Sequence, residues 1–134
     1  KTIIFMINFF GKYKIIFYII NFVLILLYLF PGSLIGCFLY DDCKLQPQIT
    51  PDFIISTNHL YAFAFLSLIA FLTFKKTDKI TFIILYLITI SVVLELFHHF
   101  IPDRSFEYSD LFGNLIGVII IIIFFNLQKK YENS

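Results

Sequence analysis

Four stretches of this chain are apolar for long enough to approach the thickness of a bilayer, and very little charge interrupts them. Ile15–Phe30 is broken only by Asn21, and neither Phe53–Phe74 nor Leu111–Leu127 contains an acid, a lysine or an arginine. Ile80–Phe100 stays apolar until Glu95, His98 and His99 close it. An α-helix rises about 1.5 Å per residue, so roughly 20 such residues cross a hydrocarbon core of about 30 Å. A water-soluble domain of 134 residues needs far more polar surface than a chain that is 60% hydrophobic and 14% charged supplies.

The expected fold is therefore all-α: a single domain, residues 1–134, forming a polytopic transmembrane bundle of four helices. Its spans fall at about 15–31, 53–74, 80–100 and 111–127. Lys1–Lys14 is too short to cross and is expected at the interface or as an extension of the first span. Pro31-Gly32 stops that span, because proline removes an amide and cannot continue a helix. Ser33–Asp52 reads as a loop, and tight connections at 75–79 and 101–110 hold the last three spans together.

Charge gives the orientation. Of the ten lysines and arginines, Lys1, Lys12, Lys14, Lys75, Lys76, Lys79, Lys129 and Lys130 fall on one side, and only Lys44 and Arg104 on the other. An excess of Lys and Arg marks the cytoplasmic side, so both termini are expected there. The opposite side carries Asp41, Asp42, Asp52, Asp103, Glu107 and Asp110.

The residues able to do chemistry crowd into one stretch on that outer side, ELFHHFIPDRSFEYSDLFGNLIG, from Glu95 to Gly117. Charged and amide groups near hydrocarbon are expensive, so they normally have partners or a job. Helical spacing puts Glu95, His98 and His99 on one face, and Asp110, Asn114 and Gly117 on another. Glu95 lies about 22 Å along its helix from Ile80, in the outer leaflet, and Asn114, Asn58 and His59 fall at a similar depth. Glu95, Arg104, Asp110 and Asn114 are thus expected to converge in one outward-facing pocket, with His59 and His98 on its wall. Arg104 is the one local cation for Glu95, and the two are expected to pair, so that removing both costs less than the sum. Three roles remain open for Glu95: proton acceptor, ligand for a cationic group, or half of that structural pair. Arg104 also suits a phosphate. Asp110 reads as the N-cap of the fourth helix, and Gly113-x-x-x-Gly117 as a close helix contact.

Glu95-x-x-His98, Pro102, Arg104 and then Asp110-x-x-x-Asn114-x-x-Gly117 resemble the VanZ-like membrane proteins, as do His59 near the start of the second span and the expected set of four spans. His98 stands where that family has Gln, Ile55-Ser56 where an Asp-Lys pair precedes the histidine, and Ile121 where a further Gly is common. The resemblance implies a multi-pass protein of the bacterial cytoplasmic (inner) membrane, linked to glycopeptide resistance of the teicoplanin type.

The expected partners are membrane lipids and an anionic or zwitterionic envelope component, such as a lipid-linked precursor or a glycopeptide. A membrane enzyme acting on such a molecule, with Glu95 or His98 as acid or base, is the second reading, and a structural subunit the third. Nucleic acid is excluded by charge and hydropathy. No nucleotide or phosphate loop occurs, and no cofactor is expected. Glu95, His98, His59 and Asp110 suit zinc by ligand type, but without H-E-x-x-H or a second E-x-x-H no metal is expected. Cys37 and Cys43 sit in the outer loop, where a disulfide and two separate thiols are both open. Leu34-Ile35-Gly36-Cys37 fits a lipidation box, but Pro31-Gly32 breaks the apolar run that should precede it.

Overall fold

A computed structural model describes residues 2–132, and every regular element within them is helical. Lys1, counted above with the lysine-rich side, lies outside the described residues. In chain order the helices are α1 (Thr2–Lys12), α2 (Ile15–Leu29), α3 (Leu34–Tyr40), α4 (Thr57–Phe74), α5 (Ile80–Phe97) and α6 (Tyr108–Glu132), with a 3₁₀ turn at His98–Phe100. Three segments are long and apolar enough to cross a membrane: Thr57–Phe74, Ile80–Phe100 and Tyr108–Tyr131. The first run differs from expectation. α2 stops at Leu29 after 15 residues and reaches spanning length only together with α1, from which it is bent by 81°.

That bend has a packing reason. Ile7 of α1 is buried with Phe71, Leu72 and Phe125, at the lysine-rich ends of α4 and α6, while Ile4, Phe5 and Phe9 stay exposed. α1 therefore lies across the end of the bundle, one apolar side on protein and another outward, as an interfacial helix does. The Lys76 ammonium donates to Asn8 Oδ1 at 2.9 Å and secures it.

α4 is the central helix. Just over half of its spanning window is buried (56%), against 28% for each of the other two. Phe63, Leu66 and Ala70 of α4 meet Leu24 of α2, Leu87 and Leu94 of α5 and Val118 of α6 in one core. Its most extensive neighbour is α6. A Cβ at Gly117 would come within 2.5 Å of the Leu60 carbonyl oxygen and 2.9 Å of the Ala64 nitrogen, and one at Gly113 within 2.6 Å of the Ser56 oxygen. Both glycines let the two backbones touch, the small-residue contact of membrane helices.

At the acidic end the chain is less regular. Phe30 is extended, as a residue before proline must be, and Gly32 has φ of 76°. α3 follows, an unexpected helix, with Ser33 Oγ accepting from the Gly36 amide at 3.0 Å. Cys37 and Cys43 are joined by a disulfide, so neither is a free thiol. α4 begins at Thr57 rather than Phe53, because Asp52 Oδ1 accepts from the Thr57 amide (2.9 Å) and hydroxyl (3.2 Å) and closes the entry to the helix. Asn58 then binds the loop: its Nδ2 donates to the Pro47 carbonyl at 2.8 Å and its Oδ1 accepts from the Ile49 amide at 3.1 Å.

Candidate functional site

The last turn of α5 and the turn after it carry Glu95 and His98 inward, while the neighbouring Leu96, Phe97 and His99 point out. Glu95 is fully enclosed. Its Oε1 accepts from the Glu107 amide at 3.1 Å and lies 3.3 Å from His98 Nδ1. Its Oε2 has no hydrogen-bond partner; His59 Nδ1, at 3.8 Å, is beyond bonding reach. On the far side of the His98 ring, Nε2–H donates to the Tyr28 carbonyl at 3.1 Å, tying α5 to the end of α2.

Asn114 organises a second set. Its Nδ2 donates to the Ser91 carbonyl of α5 at 3.1 Å, which turns Oδ1 toward α2 and α4. There Oδ1 accepts from the Tyr28 hydroxyl at 2.7 Å and lies 3.1 Å from His59 Nδ1. An amide oxygen only accepts, so Nδ1 of His59 carries the hydrogen. His59 Nε2 then faces Asp110 Oδ2 at 3.4 Å. One residue from each of α2 and α4, two from the end of α5 and two from α6 therefore meet in a single, largely buried layer.

The structure thus brings together Glu95, His98, His59, Asp110 and Asn114, and sets Arg104 apart. Arg104 does not pair with Glu95. Its Nη2 and Nε donate to the carbonyls of Leu27 (3.1 Å) and Phe30 (3.3 Å), and Nη1 to Gln46 Oε1 (3.4 Å). The cause lies in α2: a helix end leaves its last carbonyls without amide partners, and a guanidinium fork satisfies them. Burial, the dominant influence, pushes the Arg104 guanidinium below its ordinary pKa, while the Asp110 and Glu95 charges pull the other way. It remains charged at any physiological pH.

Asp110 is also reassigned. The Glu107 carbonyl accepts from Leu111 (3.1 Å), so the cap of α6 is Glu107 and Asp110 sits within the first turn. His99 is exposed and stacks on Phe106 with ring centres 5.1 Å apart. Tyr28 and Ser91 escaped the sequence reading. Tyr28 is one aromatic in a chain that is 20% aromatic, and Ser91 contributes only its backbone oxygen.

Two cavities adjoin the layer, and His59 is a wall of both. The larger, of about 500 Å³, lies between the end of α2, the loop and α4. Leu27, Leu34, Ile35, Ile49, Ala62 and Phe65 make it mainly apolar, with Arg104, Tyr28 and His59 as its polar side. The smaller, of about 170 Å³, is polar and bounded by Asp52, Glu107 and Asp110 together with Gln46, Gln48, Ser56, Asn58 and His59. His59, Glu95 and Asp110 each offer a metal-ligating atom within 4.8 Å of the other two. No protein-family model, curated protein or solved structure matches this chain.

Proposed function

We propose that this chain is a VanZ-like multi-pass protein of the bacterial cytoplasmic membrane that binds an amphiphilic envelope component at its outward-facing end. The component is an anionic or zwitterionic lipid-linked precursor or a glycopeptide, and both termini lie in the cytoplasm. The cavity of about 500 Å³ carries the reading: an apolar wall for a hydrocarbon chain beside a charged guanidinium. Arg104 uses three N–H groups in bonds to Leu27, Phe30 and Gln46. A guanidinium has five, so two stay available for a phosphate oxygen.

The test is binding in nanodiscs, comparing a labelled polyprenyl phosphate with the same polyprenol lacking phosphate. Wild type should prefer the phosphate, and Arg104→Gln should lose about tenfold of that preference, the worth of one charge-assisted bond. Equal affinity of wild type for the two lipids would remove the reading. Turnover in the same assay would favour an enzyme; among the histidines and acids of the layer only His59 faces this cavity, so it and not Glu95 would be the acid or base. Orientation is checked on intact cells with an impermeant thiol reagent. After reduction it should reach Cys37 and Cys43 but not a cysteine placed at Lys76, and the reverse pattern would invert the topology.

A further inference from the structure

We propose that His59, Glu95 and Asp110 form a binding site for a divalent cation of the zinc type, with an open position toward the small polar cavity. The inference stands apart from the lipid reading, because it concerns the buried layer and not the apolar cavity.

The protonation of His59 is the first support. Asn114 Oδ1 accepts from Tyr28 and fixes the hydrogen of His59 on Nδ1. A neutral imidazole then presents the bare lone pair of Nε2 to Asp110 Oδ2, 3.4 Å away. A lone pair facing a carboxylate repels it unless a cation or a second proton lies between. Metal-bound histidines are held in this way, one nitrogen ligating and the other donating to a fixed acceptor. The separation also fits, since tetrahedral ligands at 2.0–2.2 Å from zinc lie roughly 3.3–3.5 Å apart.

Glu95 is the second, independent support. Its side chain is fully buried, and Oε1 takes both of its contacts while Oε2 has no partner; Oε2 lies 3.8 Å from the protonated Nδ1 of His59, and the carboxyl group offers an oxygen within 4.8 Å of ligand atoms of His59 and Asp110. An orphaned carboxyl oxygen at full burial is costly, and a cation beside it removes the cost. The Glu107 amide holds the other oxygen and so aims the free one.

One nitrogen and two oxygens suit a borderline cation, and three protein ligands with one open position is the arrangement of reactive rather than structural zinc. The cavity bounded by Asp52, Glu107 and Asp110 reaches His59 and Asp110 from outside and gives a cation an acidic entrance. Both cysteines are in the disulfide, so no thiolate competes for the metal.

The experiment uses the full chain purified in detergent, equilibrated with ZnCl₂, freed of excess metal and assayed by elemental analysis. A parallel CoCl₂ titration reads the ligand-field spectrum, and a melt with and without ZnCl₂ reads stability. Wild type should retain stoichiometric zinc, give a cobalt spectrum of nitrogen and oxygen ligation, and melt higher with zinc. Asp110→Asn is the safest variant, its side chain being 20% exposed. It should weaken zinc binding by about 10- to 100-fold or more, since losing even a supporting group costs that much. Glu95→Gln should do the same, and His99→Gln, on the exposed histidine, should change nothing. Folded wild type that retains no zinc and shows no zinc-dependent melt would overturn the site, leaving a second proton on His59 as what faces Asp110. So would zinc held equally by wild type and Asp110→Asn.

Discussion

The two ends of the bundle use the same helices but are closed by opposite means. At the lysine-rich end, Phe71 stacks on Phe125 at 4.9 Å, Phe17 meets Phe74 edge-on at 5.3 Å, and Ile7 fills the space beside them. The charged groups there stay at the rim, as Lys75 donating to Gln128 Oε1 shows. At the acidic end the core is polar: Glu95, His98, His59 and Asn114 are buried and Tyr28 spans between them. Apolar packing tolerates exchange among side chains of similar volume, whereas a polar network requires particular donors in particular places. A bundle of this size could be closed at both ends with phenylalanine, so the polar end is the part that apolar packing alone does not require.

The sharpest way to break that contrast is Glu95→Ala. It strips the acceptor from the Glu107 amide and the carboxyl neighbour from His98 and His59, and breaking up a buried polar cluster in this way costs about 3–5 kcal/mol. Unfolding in mixed detergent should show the loss. Glu95→Gln, which keeps an oxygen for the amide, should cost less than half as much. If Glu95→Ala were as mild as a substitution at the phenylalanine end, the distinction between the ends would disappear.

Gly117→Leu comes next, because the added side chain must enter the Leu60 and Ala64 backbone. Overpacking of this kind costs about 1–3 kcal/mol, while Ile119→Leu, on an exposed position, should be close to neutral. Equal melting of the two variants would mean that α4 and α6 can separate without loss.

Arg104→Ala should cost about 1–2 kcal/mol through the uncapped carbonyls of α2. Since Arg104 and Glu95 share no bonding partner, the double variant with Glu95→Gln should add to within about 0.5 kcal/mol. A strong shortfall would restore the direct pairing that the sequence suggests. The smallest effect belongs to the apolar end, where Phe125→Leu should cost less than about 1.5 kcal/mol.

These contrasts also show what could be read without coordinates. The apolar runs place α4, α5 and α6, because a hydrocarbon solvent leaves a chain few options other than a helix. Spacing likewise groups Glu95 with His98, and Asp110 with Asn114, because those pairings lie within single helices. The partner of Arg104 was not legible. It depends on where α2 frays and which carbonyls are left over, a matter of tertiary position rather than local pattern. Tyr28 was hidden for a related reason, since nothing in an aromatic-rich run says which ring turns inward. The start of α4 was misplaced because Phe53 and Ile54 extend the hydrophobic pattern, while Asp52 decides the boundary through its bonds to Thr57.

The shortness of α2 has a consequence for the lipid itself. Fifteen residues make a rod of about 22 Å, well short of a hydrocarbon slab of roughly 30 Å. A bilayer meeting so short a wall thins locally, drawing its polar surface inward at a modest elastic cost. The dimple would form where α2 ends, which is where Leu27, Tyr28 and Arg104 line the larger cavity. Lipids beside α2 would thus stand out of register with their neighbours, lowered toward the depth of Arg104.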